Sequence, residues 1–364
     1  MKPYFGIALS LAAATFLVSF ECISDDASTE AASAQSAIDS ARKNASICGK
    51  AIESFLTDVN VRTFLKKYAE EMDSPDAIPL LISDQSLSVI KEKDPLAAEL
   101  TEIFCTELFQ LKKVTLADSL RPRTEADGSD IPRIRIAGTL QAPRLTLSVY
   151  GHSDEKTDRE HPGEPKKKYF FEIDDLHTGF VVWMFSQNTE DEEKISAKKE
   201  DKDSAFPDKA VREYITRFAQ NMLSSARFIE FLRQKQDDQE TPVLCFQKPV
   251  NNADIPDWKI SEITDLLIET LSGSPNVRVT RAEGAARKSS LSTRIQYYAR
   301  NDNYDPKTLP KSDSIAAADM WIILKTDRKP ASNGKSDDFS LEIRAVNKKN
   351  GNTIFTNSFV YSKQ

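Results

Sequence analysis

The residue whose position suggests a specific chemistry is Cys22, which follows the uncharged apolar run YFGIALSLAAATFLVSF over residues 4–20. Lys2 is the one positive charge ahead of that run. A short charged start followed by an apolar stretch is typical of an export signal. A bacterial lipoprotein carries its acyl chains on a cysteine at this place. Residues 1–22 are therefore predicted to be a signal segment, with Cys22 as the lipid-attachment site.

The residues before Cys22 leave a second interpretation open. Phe20 is bulky and Glu21 is acidic, whereas a lipoprotein processing site has small residues there. Ordinary cleavage further along, for example after Ala34, would also release an exported chain. Both routes take the chain out of the cytosol.

The other cysteines, Cys48, Cys105 and Cys245, form no CxxC pair, which argues against a zinc site or a redox motif. Cys105 lies in a predicted apolar helix and Cys245 in a predicted apolar strand. We therefore expect them to be small buried side chains rather than reactive thiols.

The histidines also favour a chain without catalysis. His152 and His161 lie in a charged loop and His177 in a predicted turn, so all three are expected to be solvated. The sequence has no HExxH zinc motif, no GxSxG nucleophile motif and no GxxxxGK[ST] phosphate loop. The SxxK matches at residues 40–43 and 88–91 lack companion motifs. The sequence predicts no enzyme, no cofactor, no metal site and no small-molecule substrate.

Charge and aromatic content narrow the kinds of partner. The 56 acidic residues outnumber the 49 basic ones and give a net charge of −7, whereas a nucleic-acid binder normally has a basic face. The acidic residues form no paired constellation and are expected on solvated faces. Trp183, Trp258 and Trp321 are predicted to pack in a core or to anchor a protein partner rather than to line a ligand pocket.

The elements that would position these residues occur twice. The helical pattern VRTFLKKYAEEM at residues 61–72 matches VREYITRFAQNM at 211–222. Residues 79–116 then align without gaps on 242–279 as a strand, a helix and a strand. Matches that keep their order along the chain predict an internal duplication.

The ends of these repeats also match. Asp94 and Asp257 occupy the same aligned position, and each is expected to cap the helix that follows. A strand from Ile134 to Val149 and a closing hairpin complete the first copy. The hairpin turns contain Gly179 in the first copy and Gly351 in the second, and glycine supplies the positive φ that a tight turn requires.

The sequence therefore predicts an α/β (α+β) chain made of two tandem modules, each a small mixed sheet flanked by helices. The modules are placed at residues 58–187 and 207–364. Residues 23–45 are small and polar, and residues 23–57 are predicted to be a flexible tether and lead-in. Residues 188–206 are highly charged and are predicted to be a solvated linker.

At this point the sequence resembles a known family, the penicillin-binding-protein activator LpoB family, whose fold is similar to the N-terminal domain of TolB. The resemblance covers nearly all of the chain after the tether. It rests on the second-half segments VREYITRFAQNM, TPVLCFQ, NVRVT, ADMWIIL and NGNTIF, and on HTGFVVW at residues 177–183 of the first half.

The resemblance implies a non-catalytic lipoprotein that binds a bifunctional peptidoglycan synthase, a penicillin-binding protein, and activates it. The location that it implies is the periplasm of a Gram-negative-type bacterium, with an anchor in the outer membrane when Cys22 is acylated. Two features depart from that pattern, namely the second module and the short tether. An alternative is a structural component of an outer-membrane secretion or surface-appendage machine. A cell-wall hydrolase is disfavoured because no catalytic constellation is found.

Overall fold

The computed structural model describes most of the two predicted modules. The described residues are 27–72, 78–82, 87–111, 114–116, 134–136, 139–141, 143–152, 168–189, 208–237, 241–282, 309, 318–330 and 337–362. Cys22, His161 and most of the predicted linker lie outside them. The part of residues 44–364 that is described belongs to one compact unit.

The helices carry the apolar stripes that the sequence predicted. The helix Val59–Met72 buries Val61 and Tyr68 of its stripe. In the helix Asp208–Ser224 all six apolar residues at helical spacing are buried, namely Val211, Tyr214, Ile215, Phe218, Ala219 and Met222. The helices of the described residues are α1 (Ala27–Thr57), α2 (Val59–Met72), α3 (Leu87–Lys93), α4 (Pro95–Gln110), α5 (Asp208–Ser224), α6 (Ala226–Asp237) and α7 (Asp257–Ser272).

Among the described residues, eleven strands form one mixed sheet and two form a separate ribbon, β3 with β4. The strands are β1 (Ile78–Ile82), β2 (Val114–Leu116), β3 (Ile134–Ile136), β4 (Thr139–Gln141), β5 (Leu145–Gly151), β6 (Lys168–Asp175), β7 (Val181–Asn188), β8 (Val243–Phe246), β9 (Val250–Asn252), β10 (Arg278–Arg281), β11 (Met320–Pro330), β12 (Asp337–Asn347) and β13 (Thr353–Ser362). Helices flanking a mixed sheet confirm the predicted fold class.

The single strand predicted from Ile134 to Val149 is wrong, because this stretch forms β3, β4 and β5. Pro143 lies between β4 and β5. It has no N–H to donate to a ladder, which explains why a strand begins only after it.

Both halves arrange their strands in the same order. In the first half β1 pairs in parallel with β2 and β5, and β6 and β7 follow in antiparallel pairing. In the second half β8 pairs in parallel with β10 and β11, and β12 and β13 follow in antiparallel pairing. β9 joins β11 outside this repeated pattern.

The closing hairpins match in detail. The N–H of Gly179 donates to the carbonyl of Asp175, and the N–H of Gly351 donates to the carbonyl of Asn347, both at 2.8 Å. The two glycines have φ values of 75° and 72°, as the turn prediction required. A bulge interrupts each hairpin at the same distance before its glycine, at residues 173–174 and 345–346.

One continuous sheet contains both halves, which corrects the expectation of two separate sheets. The joining strands are β7 and β10, which pair in antiparallel fashion at Val181 and Val279. The strand order is the same in both halves, but the strands of the second half run in the opposite direction. The second half is therefore turned over relative to the first. The module boundaries 58–187 and 207–364 stay predictions.

The inversion places the two helical layers on opposite faces of the sheet. Trp183 points into the first-half core, where its ring lies 5.5 Å from that of Phe55 in α1 and 5.7 Å from that of Phe104 in α4. Val181 and Met184 of the same strand belong to the second-half core. Strand β7 is thus covered on one face by helices of its own half and on the other by helices of the second half.

The described part of the predicted tether and lead-in, residues 23–57, is helical, since residues 27–57 form α1. Within the compact unit, Ile47, Cys48, Ala51 and Phe55 are buried in the first-half core. Their spacing follows one face of a helix. Because these few anchors come after a long polar stretch, composition alone favoured a tether.

The two helix caps differ. Asp94 caps α4 as predicted, since its carboxylate accepts a hydrogen bond from the N–H of Ala97 at 3.0 Å. Asp257 does not cap α7, because Pro256 occupies the cap position and Asp257 is already helical. An acidic residue in the first turn still interacts favourably with the helix dipole.

Gly351 provides a test of the repeated turn. A Cβ added there would contact no atom within 4 Å, so Gly351→Ala should be penalised only by the positive φ. The expected loss is about 1–2 kcal/mol of unfolding free energy, measured by urea denaturation. Gly49→Ala, in the exposed part of α1 and also without close contacts, should instead stabilise by about 1 kcal/mol. Equal effects of the two substitutions would contradict this explanation.

Candidate functional site: the junction between the halves

The densest cluster of ionisable side chains lies where the two halves meet. Helix α7 of the second half packs against β7 of the first half, on the face opposite to α1, α2 and α4. Polar residues of β5, β6 and β7 face that helix. We refer to this region as the junction.

Arg281, at the end of β10, is the centre of the junction. Its Nη1 donates to Asp265 Oδ1 of α7 at 2.6 Å, and its Nη2 donates to Glu172 Oε2 of β6 at 2.9 Å. Both carboxylates are buried, whereas 24% of the Arg281 side chain is exposed. Burial alone would lower the pKa of Arg281, but Glu172, Tyr150 and Asp265 outweigh it and hold this pKa well above its ordinary value.

Two aromatic groups complete the hydrogen bonds of these carboxylates. The hydroxyl of Tyr150 donates to Glu172 Oε2 at 2.8 Å and accepts from Arg281 Nη2 at 3.1 Å. His152 donates from Nε2 to Asp265 Oδ2 at 2.6 Å. Burial, with the nearby charges of Asp265 and Glu172, raises the pKa of Tyr150 well above its ordinary value. Tyr150 therefore stays a neutral donor.

A second group of charges lies near the start of α7. Lys168 of β6 donates to Glu262 Oε1 at 2.5 Å, and Lys259 lies 3.3 Å from Glu262 Oε2. Burial would raise the pKa of Glu262, but Lys259 and Lys168 lower it below its ordinary value. Glu262 is therefore ionised at neutral pH, between two cations from different halves.

Further hydrogen bonds continue along the junction. Glu269 of α7 accepts from both the backbone N–H and the hydroxyl of Ser186 in β7, at 2.8 and 2.7 Å. Burial raises the pKa of Glu269, which the bonds from Ser186 only partly offset. Beyond the end of the helix, Asn60 of α2 donates to the carbonyl of Ser272 at 2.6 Å.

These contacts explain the chemistry of the junction. A buried charge is costly unless it is paired and hydrogen-bonded. Each junction carboxylate has its partner in the other half or bridges both halves, and Asp265 has both oxygens occupied. The arrangement fixes the position of one half against the other, and we interpret it as a structural lock rather than as acid–base machinery.

The prediction of solvated histidines is wrong for both described ones. His152 lies in the junction, and His177 is buried in the hairpin turn. There Arg144 Nη1 donates to His177 Nδ1 at 2.8 Å, and Arg144 Nε lies 2.7 Å from Asp175 Oδ1. The sequence around His152 and His177 gave no indication of these contacts, because Asp265 and Arg144 lie more than thirty residues away from them.

The burial predicted for Cys105 and Cys245 is confirmed, and Cys48, which falls in the predicted lead-in, is also free and buried. Burial raises the pKa of the Cys48 thiol to about 12, which is the opposite of a reactive thiolate. Cys22 lies outside the described residues, so its acylation stays a prediction.

Trp183 packs in the core, which was one of the two alternatives predicted for the tryptophans. Trp258 lies in the first turn of α7, and Trp321 lies half-buried in β11. Within the described ranges, no group of three or more His, Cys, Asp or Glu could hold a metal ion. No helix in that part of the chain is long and apolar enough to span a membrane.

Sequence reasoning missed the junction itself, for which one signal existed. Lys259, Glu262, Asp265 and Glu269 recur at helical spacing on a helix whose other side is apolar. A charged stripe of this kind usually faces solvent. Here it faces the other half of the molecule.

Removal of the Arg281 cation should lower the free energy of unfolding. Arg281→Met would leave Glu172 and Asp265 buried without their cation, so we expect a loss of about 3 kcal/mol in the free energy of unfolding. Arg344→Met removes a bidentate but exposed pair with Glu342, and its expected cost is below about 1 kcal/mol. Urea denaturation of both variants measures the difference. A cost for Arg281→Met no larger than the cost for Arg344→Met would contradict the lock.

Glu262 and Glu269 should respond to pH in opposite directions. The lowered pKa of Glu262 stabilises the fold at neutral pH, and this stabilisation is lost as the pH falls from the ordinary glutamate range through the folded pKa. The raised pKa of Glu269 means that its ionised form destabilises the fold above the folded pKa. This destabilisation is lost as the pH falls through the folded pKa toward the ordinary pKa of glutamate.

The measurement is the free energy of unfolding between about pH 7 and about pH 3 for the wild type, Glu262→Gln and Glu269→Gln. As the pH falls, the wild type should lose its advantage over Glu262→Gln and should gain relative to Glu269→Gln. The same trend for both variants would disprove the assignment.

No protein-family model and no curated protein matches the sequence. Among solved structures, the chain is similar to the LpoB C-terminal domain from Salmonella enterica, with 12% identity and a TM-score of 0.23 over 40% of this chain and 94% of that one. It is similar to the LpoB C-terminal domain from Escherichia coli, with 14% identity and a TM-score of 0.24 over 42% and 98%. A third similar structure is lipoprotein GNA1162 from Neisseria meningitidis, with 12% identity and a TM-score of 0.20 over 33% and 82%.

Proposed function

We propose that the chain is a non-catalytic lipoprotein of the bacterial cell envelope that binds a bifunctional peptidoglycan synthase and activates it. The observation that carries this proposal is the repeated strand order. The second-half segments that resemble the LpoB family lie in the described residues at α5, β8, β10, β11 and the β12–β13 hairpin. Four of these elements are strands or hairpins of the repeated strand order. HTGFVVW forms the matching hairpin of the first half.

The chemistry of the buried side chains supports a role in binding. The junction charges pair with one another across the two halves, and the described cysteines are buried with raised thiol pKa values. These groups hold the molecule in one shape. A rigid surface that loses little entropy on association favours protein–protein binding.

Activation by such a protein depends on a difference in affinity. A non-catalytic partner shifts a synthase toward its active state only when it binds that state more tightly than the inactive one. A ratio of about ten in the two dissociation constants corresponds to about 1.4 kcal/mol. We infer that the contact surface recognises a feature that the synthase presents in its active conformation.

The structure of α1 changes the reach expected of the tether. Residues 27–43 are helical, and a helix rises only about 1.5 Å per residue, against about 3.3 Å for an extended chain. Residues 27–43 taken alone therefore span about 25 Å, which is less than half of their length as a fully extended chain.

The alternative is a structural component of an outer-membrane secretion or surface-appendage machine. The observation that favours it is the continuous sheet, which extends the first half by a second half in the same strand order. Extension of this kind suits a building element. The two proposals differ in their partner, which is one synthase or a large membrane assembly.

The test uses residues 23–364 as affinity bait for detergent-solubilised envelopes of the same cell, followed by binding to the purified synthase. We expect saturable binding and a faster rate of glycan polymerisation in the presence of the bait. Neither binding nor stimulation would overturn the proposal, and co-purification with a large assembly instead would select the alternative.

Cys22→Ser serves as the matched control for the membrane anchor. We expect this substitution to remove the lipid mass and to release the chain from the membrane fraction, while the purified chain keeps its effect on the synthase. A native mass without acyl chains would show that cleavage occurs elsewhere.

A further inference from the structure

The charged stripe of α7 that the junction buries has an exposed counterpart on α4. The two helices occupy the same aligned place in their halves, so Glu99, Glu102 and Phe109 of α4 correspond to Glu262, Asp265 and Ser272 of α7. The α7 residues are at most 7% exposed, whereas Glu99 and Glu102 are exposed and Phe109 is 54% exposed. Helix α4 therefore presents, uncovered, the side that α7 uses to bind the other half.

The surface that receives α7 also has a counterpart. In the first half this surface includes Glu172, Met184 and Ser186 of β6 and β7. Aligning the two hairpins on their glycines and bulges places Arg344, Thr356 and Ser358 of β12 and β13 at these positions. All three are exposed.

The strand order places these two surfaces at opposite ends of the sheet. The halves join where β7, the last strand of the first half, meets β10, the third strand of the second half. Among the described strands, the sheet ends at β13, which corresponds to β7, and at β2, which corresponds to β10. The β2 end therefore carries the counterpart of the α7 side of the junction. The β13 end carries the counterpart of the surface that receives α7.

We propose that copies of this chain associate head to tail, with α4 and β2 of one copy docked on β12 and β13 of the next in the geometry of the internal junction. The occupant of the exposed surface is a second copy of this chain. This inference is independent of the proposed function, because it rests on the repeated geometry and not on the identity of any partner.

Charge supports the pairing. Within one chain, Arg281 links Asp265 to Glu172. Between two chains, Glu102 takes the place of Asp265 and Arg344 takes the place of Glu172. An acidic and a basic residue then meet without a bridging cation. Arg344 already pairs with Glu342 of its own sheet. The distance from Arg344 Nε to Glu342 Oε1 is 2.8 Å, and this contact holds the guanidinium in place.

The β13 edge has the composition of a strand that can accept a neighbour. Its sequence TIFTNSFVYS contains no charged residue and no proline, and the Val360 side chain is 59% exposed. Charges and proline are the usual means by which an open edge avoids pairing. Phe109, near the end of α4 on the same side as Glu99 and Glu102, is an exposed aromatic residue. Aromatic residues are enriched at protein interfaces.

The symmetry of this contact predicts the form of the assembly. The two surfaces are different, so the contact is heterologous and each docked copy leaves one free surface of each kind. Such contacts produce an open chain of copies rather than a closed dimer. The expected behaviour is growth in average mass with protein concentration.

The test is analytical ultracentrifugation of residues 23–364 over a range of concentrations at low salt. The wild type should shift from monomer to dimer and longer species. Glu102→Arg alone and Arg344→Glu alone should each weaken self-association by about tenfold or more, because each places like charges opposite one another. Both positions are exposed, so circular dichroism should match the wild type, and thermal unfolding should stay cooperative. Arg344→Glu should unfold at a slightly lower temperature because it loses the pair with Glu342.

Mixing the two variants distinguishes this geometry from any other. In an equimolar mixture each contact between the two kinds of chain pairs opposite charges again, so association should return to the wild-type level. Phe109→Ser should also weaken association, whereas Val59→Ser, at a similarly exposed apolar residue of α2, should not.

The proposal is overturned by a wild type that stays monomeric at all concentrations, by single variants that associate normally, or by a mixture that fails to recover. The synthase assay is read separately on the same variants. A monomeric chain that still activates the synthase would reject self-association alone.

Discussion

The constraint on which the structure depends is the pairing of buried charges between the halves. Arg281 of the second half holds Glu172 of the first half and Asp265 of its own α7, and Lys168 of the first half holds Glu262. A buried carboxylate without its cation is strongly unfavourable. The halves therefore have one favoured relative position, which the single strand pairing of β7 with β10 would define only weakly.

That position follows from turning the second half over. With strands reversed, the helices of the second half cover the back of the first-half sheet, and β7 is buried on both faces. Met184 packs into one core and Trp183 into the other. The two halves, each with one helical layer, form a single body with helices on both sides. The same operation explains why, among the described residues, one end of the body exposes Glu99 and Glu102 of α4 and the other exposes Thr356 and Ser358 of β13.

Several features were predictable because they depend on neighbours close in sequence. Asp94 lies beside the helix it caps, and Gly179 and Gly351 lie in turns that only a positive φ can close. The prediction failed where a residue depends on a distant partner. His152 was expected in solvent, but Asp265 lies 113 residues away in the sequence and accepts its hydrogen bond. Asp257 failed for a local reason, because Pro256 took the cap position instead.

The sequence by itself determined the apolar stripes, the repeated order of elements, the turn glycines and the burial of Cys105 and Cys245, because each of these follows from local periodicity and side-chain chemistry. Only the tertiary structure decided that the two sheets are one, that the charged side of α7 is buried, and that residues 47–55 of α1, with Cys48 among them, pack in the core. Those outcomes depend on which surfaces meet, and a charged residue looks the same in sequence whether it faces water or a partner of opposite charge.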